Sequence, residues 1–125
     1  MPVQYSSIVD EHKAARSAIG LFDITHKARL HFDGAGTAAF LDRIVTRRIV
    51  DLKPGGIRYG LVTNAEGGIL DDVLVYHLAR PDGHSQYMMV ANASNRLKVL
   101  AWIDQQKNER DDVSVVDRTM DTAMI

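Results

Sequence analysis

The sequence contains no cysteine, which removes disulfides, thiolate metal sites and a cysteine nucleophile together. Any chemistry therefore falls to carboxylates, five histidines, tyrosines and hydroxyls. Positive charge is not in excess either. The chain carries 15 Lys and Arg against 16 Asp and Glu, interspersed along its length, so no basic stripe is available to neutralise phosphates and nucleic acid is not an expected partner. No apolar run approaches the roughly 20 residues that span a bilayer, and the start MPVQYSSIVDEH lacks the charged-then-apolar build of a signal peptide. A membrane is excluded on that reading, and a cytoplasmic location is expected unless an upstream segment carries an address.

What remains is the composition of one soluble globular domain or part of one, with 125 residues, 46% of them hydrophobic and 6% aromatic. Ser7-Ile8-Val9-Asp10 has the S-x-x-D capping pattern, and Ile8, His12, Ala15 and Ile19 then recur at helical spacing until Gly20. An amphipathic helix over 7–19 is expected, with His12 facing the core. Leu21 to Ile24 and Ala28 to Phe32 read as short strands, the second alternating Leu30 and Phe32 against Arg29 and His31. Gly34-Ala35-Gly36 lacks the third glycine or Lys-Ser/Thr of a phosphate loop and reads as a strand-to-helix turn into a helix begun near Thr37, with Phe40, Leu41, Ile44 and Val45 inward.

Ile57 to Thr63 and Ile69 to Leu78 form a predicted hairpin across Asn64-Ala65-Glu66-Gly67-Gly68, whose two glycines suggest positive φ. After the turn Arg80-Pro81-Asp82-Gly83, Tyr87 to Ala91 reads as a buried strand. Ser94 or Asn95 then caps a third helix that turns Val99, Trp102 and Ile103 to the core. Strands over Val113 to Val116 and from Thr122 complete the order. The fold class is α+β, a mainly antiparallel sheet with about three packed helices.

GGILDDVLVY, Gly67 to Tyr76, puts two carboxylates in an apolar run. Side chains alternate along a strand, so Leu70, Asp72, Leu74 and Tyr76 share one side, and Asp71, Val73, Val75 and His77 the other. Both sides are mostly apolar, which implies cover on both. A carboxylate so enclosed costs several kcal/mol unless it gains a partner. Asp71 either accepts N–H bonds from the Gly67-Gly68 turn or lies at an exposed strand end. Asp72 shares its row with Tyr76 and has Tyr59 on the preceding hairpin strand as a neighbour. Flat, polar-tipped rings beside a lone carboxylate suit a planar, amine-bearing ligand.

Three segments, YSSIVDEHKAARSAIGLFDITH, DLKPGGIRYGLVTNAEGGILDDVLVYHL and VANASNRLKVLAWI, together resemble the N-terminal domain of the glycine cleavage system aminomethyltransferases, the T-proteins. The specificity lies in F-D-[VI]-[ST]-H at Phe22 to His26, N-x-x-GG-I-x-DD at Asn64 to Asp72, and NA-x-N at Asn92 to Asn95. The resemblance implies a tetrahydrofolate-binding transferase that takes the aminomethyl group from the lipoyl arm of the H-protein, releasing ammonia. It implies Asp72 as the catalytic carboxylate beside the folate amines, Tyr59 and Tyr76 as lining of the folate site, and Asn92 as a pocket residue.

The sequence departs from that family in two ways. Thr25-His26-Lys27-Ala28 stands where the family usually reads S-H-M-G, so Lys27 is either an altered ligand contact or a solvated side chain. Family members also begin earlier and continue through two more domains, so residues 1–125 are expected to be a partial folate-binding domain, inactive alone and inclined to self-associate through uncovered apolar surface and a strand edge. Alternative readings are the folate-binding domain of a related demethylase or of a dimethylglycine or sarcosine dehydrogenase, and a non-catalytic folate-binding protein. The histidines at 12, 26, 31, 77 and 84 show no His-x-x-x-His spacing, and no metal is expected. Thr46-Arg47-Arg48 could meet an acidic lipoyl carrier or simply be solvated surface.

Overall fold

A computed structural model describes residues 4–125. Helix α1 (Ile8–Ser17) is followed by β1 (Ala28–Asp33), α2 (Thr37–Ile44), β2 (Ile57–Thr63), β3 (Ile69–Ala79), β4 (Ser85–Ala91), a short 3-10 turn (Ala93–Asn95), α3 (Arg96–Gln106) and β5 (Ser114–Asp117). The five strands form one sheet in the order β2-β3-β4-β1-β5, with every pairing antiparallel.

The alternation of each strand gives the sheet two unlike faces. Leu30 and Phe32 of β1, Val62 of β2, Val73 and Val75 of β3, and Met89 of β4 meet Phe40, Leu41 and Ile44 of α2 and Val99 and Ile103 of α3 in one buried cluster. Trp102 packs against this cluster but is only partly buried. The opposite face carries Tyr59, Asp72, Leu74 and Tyr76 with Val90 across the ladder, and the helices do not cover it. The expectation of cover on both sides of β3 is therefore wrong: Leu74, Tyr76 and Leu78 on its second face are only half-buried, and Asp72 is exposed.

Several local expectations also need correction. Ser7 does cap α1, accepting the Asp10 N–H at 3.3 Å, but α1 buries no residue. Ile8 and His12 are exposed, and the helix stops at Ser17 short of the expected 7–19 span, which leaves Ile19 exposed beyond its end. Leu21 to Ile24 and Thr122 to Ile125 are not strands. They lie against each other instead, with the Ile24 N–H donating to the Met124 carbonyl at 2.9 Å and the Met124 N–H to Thr25 Oγ1 at 3.1 Å. In the β2–β3 turn only Gly67 has positive φ, at 82°. Gly68 serves a close approach, its N–H donating to Asn64 Oδ1 at 2.6 Å.

Gly34 is the backbone position most tightly constrained by the fold. Its φ is 121°, and a Cβ there would fall 2.2 Å from the Asp112 carbonyl oxygen. The next N–H groups use the same residue, Ala35 donating to Asp112 Oδ2 at 3.1 Å and Gly36 to the Asp112 carbonyl at 2.9 Å. Gly34→Ala is expected to cost about 2–4 kcal/mol, the sum of a left-handed backbone penalty and a backbone clash. Urea unfolding would measure it, and a loss under about 1 kcal/mol would show that the β1–α2 turn yields more easily than this contact implies.

Candidate functional site

The hairpin brings the paired aspartates to a defined place. Beyond Val62, which faces Asp71, the register shifts so that Thr63 faces Ile69, which leaves Leu70 as an extra residue at the start of β3. Such a bulge re-aims the side chains beside it. From there the alternation is regular, and Asp72 projects from the open face while Asp71 projects from the helix-covered face.

Tyr59 of β2 lies opposite Leu74 of β3, diagonal to both Asp72 and Tyr76, within reach of their side chains. These residues line a cavity of about 180 Å³ together with Lys27, Ile24, Val90 and Met124. Three of the four site residues expected from the sequence therefore converge: Asp72, Tyr59 and Tyr76. Tyr59 is 56% exposed, so its ring forms an open wall. Asp72 is exposed as well, contrary to the expectation that both aspartates of the pair lose solvation.

The enclosed member is Asp71, which is only 3% exposed. It takes no bond from the Gly67-Gly68 turn and does not lie at an exposed strand end, contrary to both sequence readings. The chain after β4 supplies its donors: the Asn92 backbone N–H to Oδ2 at 2.8 Å, Asn92 Nδ2 to Oδ1 at 2.9 Å, and Asn95 Nδ2 to Oδ1 at 2.6 Å. Asn95 thus spends its side chain on Asp71 and makes no capping bond to α3. Asn92, the fourth expected residue, does not line the cavity. It stands behind Asp72, with Nδ2 donating to Asp72 Oδ1 at 2.8 Å.

Lys27 is half-buried at the cavity wall, its Nζ donating to Asn92 Oδ1 at 3.2 Å. It is thus held at the site by one hydrogen bond while remaining partly open to solvent. The sequence reading missed Asn95, although NA-x-N carried it, and missed Ile24 and Met124, whose distant segments are joined only by the fold. His77 faces the helices and is satisfied there, with Nδ1 at 2.6 Å from the Leu52 carbonyl and Nε2 at 3.1 Å from the Ser85 hydroxyl. Among the described residues, no three His, Cys, Asp or Glu side chains gather as a metal site. Arg48 lies near Asp51, at 3.8 Å, on an exposed surface away from the cavity.

The GCVT N-terminal domain model matches residues 1–125. The aminomethyltransferase of Halothermothrix orenii is 43% identical over 113 residues, covering 90% of this chain and 30% of that protein. The aminomethyltransferase of Herpetosiphon aurantiacus is 42% identical over 125 residues, covering 100% of this chain and 33% of its own. The glycine cleavage system aminomethyltransferase T of Bartonella henselae, a crystal structure, superposes with a TM-score of 0.82 at 30% identity, covering 94% of this chain and 31% of that one. The chain spans about a third of the length of these curated relatives. Sequence and architecture thus agree over nearly every residue, and the chain belongs to the GCVT N-terminal domain family.

Proposed function

We propose that the protein is a tetrahydrofolate-dependent aminomethyltransferase of the glycine cleavage system, for which residues 1–125 supply the wall carrying the reactive carboxylate. The single observation that carries this reading is the placement of Asp72 on the open sheet face, in one row with Tyr76 and diagonal to Tyr59 at the same cavity. An acceptor-only carboxylate flanked by flat, polar-tipped rings matches the amines of a reduced pterin. The cavity, about 180 Å³, falls short of the 300 Å³ and more that encloses a drug-sized ligand. These residues therefore fit one side of a folate and leave its remainder to other surfaces.

In this reading tetrahydrofolate supplies the amines that accept the one-carbon unit. The aminomethyl group leaves the sulfur of the lipoyl arm of the H-protein, its carbon becomes the methylene of 5,10-methylenetetrahydrofolate, and the two protons given up by the folate amines leave the sulfur as a thiol and the nitrogen as ammonia. Asp72 Oδ2 faces developing positive charge and can accept a proton, while Tyr59 and Tyr76 orient the ring and restrict water. A cytoplasmic location belongs to the same proposal; no described helix is long and apolar enough to cross a membrane.

Calorimetric titration of the full-length gene product with tetrahydrofolate, paired with a methylene-transfer assay using aminomethylated H-protein, tests the proposal. Binding and ammonia release are expected together. Binding without transfer would favour the non-catalytic reading, to which the Lys27 ammonium in the cavity lends its one specific observation. No binding isotherm would overturn the folate assignment.

A further inference from the structure

Among the described residues Asp71 is the buried carboxylate, and no cation pairs with it. Its charge is met by three amide N–H groups, all from Asn92 and Asn95. An enclosed carboxylate needs donors of this kind, and such bonds are stronger than neutral ones. Asp71 therefore anchors the chain between β4 and α3 to the middle strand of the β2-β3-β4 unit, and it holds Asn92 at both backbone and side chain.

The Asn92 amide is oriented by charge on either side. Its oxygen faces the Lys27 ammonium at 3.2 Å, and its nitrogen faces Asp71 Oδ1 at 2.9 Å and Asp72 Oδ1 at 2.8 Å. The reversed amide would set N–H groups against an ammonium and an oxygen against two carboxylates, so only one orientation is satisfied. Both Nδ2 protons are thereby committed, one to each aspartate, and none is left for a ligand.

We propose that Asn92, anchored by Asp71 and locked by Lys27, is a positioning residue that fixes the Asp72 carboxylate toward the cavity. This rests on the folate reading above and deepens it. Asp72 is exposed at the open face, where a short side chain would otherwise sample several rotamers. A hydrogen bond to Oδ1 selects one of them and leaves Oδ2 directed at the ligand. A carboxylate held in place before the ligand arrives needs no reorganisation during the reaction.

The test compares Asn92→Ala with Asn95→Ala in the full-length gene product. Asn92→Ala is expected to lower kcat for methylene transfer about 10²-fold while the tetrahydrofolate Kd changes less than about threefold, the pattern of a lost transition-state arrangement. Asn95→Ala removes a donor from Asp71 but touches neither Asp72 nor Lys27, so it should lower Tm and cost clearly less turnover than Asn92→Ala. The proposal is overturned if Asn92→Ala retains kcat, if it weakens Kd as much as it lowers kcat, or if Asn95→Ala costs as much turnover as Asn92→Ala. Should Asn92→Ala not fold, the wild-type Asn92 side-chain amide decides. Two resolved, slowly exchanging protons that shift in Asp72→Asn support the arrangement, and a rapidly exchanging pair sinks it. If the wild type neither binds folate nor transfers methylene, the functional reading fails, while the amide spectrum still reports on Asn92 and Asp72.

Discussion

Asp72→Asn in the full-length gene product is expected to lower kcat for methylene transfer by about 10²–10⁴-fold, the range associated with losing a positioned acid or base. Tm should stay almost unchanged. Asp72 is exposed, and its side-chain partner is the Asn92 amide, which an asparagine oxygen can still accept. Surface substitutions of this kind usually stay within about 0.5 kcal/mol. Tetrahydrofolate affinity should fall modestly, because Tyr59, Tyr76 and the apolar lining remain. Steady-state kinetics with a thermal melt on the same sample separates these effects. A variant within threefold of wild-type kcat would remove Asp72 from the chemistry, whatever its place in the cavity.

The contrast between the two aspartates also shows what the sequence could and could not reveal. The period-2 pattern of β3 correctly separated Asp72 and Tyr76 from Asp71 and His77, because a strand leaves no freedom in that assignment. It could not say which face was covered. Cover depends on where α2 and α3 pack, and both lie on the Asp71 side. The apolar character of Leu70 and Leu74 suggested a second layer; Leu70, the extra residue at the bulge, packs against the helix-covered core instead, and Leu74 stays half-buried on the open face. For the same reason the helical spacing of Ile8, His12 and Ala15 correctly indicated a helix and wrongly indicated a buried one, and Ile19 lies beyond its end at Ser17. Periodicity reports that a face exists and is silent on what meets it.

The motifs fared better than the strand ends. Asn64 to Asp72 and Asn92 to Asn95 are separated in sequence yet meet at Asp71, so the residues that carried the family resemblance are also those that build the site. Leu21 to Ile24 and Thr122 to Ile125 misled because short apolar runs look like strands whenever they are read alone. Here each satisfies the other's backbone, and Ile24 and Met124 become two walls of the cavity.

What holds those walls is Arg29, which the alternation of β1 set on the side opposite Leu30 and Phe32. Its side is right, but the residue is 2% exposed. The guanidinium spends its five N–H donors on oxygen: Nε to Thr122 Oγ1 at 2.9 Å, Nη1 to the carbonyls of Thr25 at 2.9 Å and Lys27 at 2.7 Å, and Nη2 to the carbonyls of Thr119 and of Thr122 at 2.6 Å. No carboxylate takes part, so the charge is dispersed over backbone dipoles from two segments that the strand ladder leaves unpaired. Arg29→Met keeps much of the stem and removes every donor. Four carbonyls and a hydroxyl then lose their partner, the Thr119 carbonyl in a buried setting and the rest in partly buried ones, and the expected cost is about 2–4 kcal/mol. Arg29→Lys should recover only part of this, because an ammonium is a point donor that cannot span both segments. Because the clamped segments carry Ile24, Lys27 and Met124, folate affinity should weaken along with stability, unlike the pattern expected for Asp72→Asn. Urea unfolding and calorimetry at matched folded fraction would read both quantities. A loss below about 1 kcal/mol would mean that water replaces the guanidinium freely, and that the two segments hold the cavity wall by their own backbone contacts.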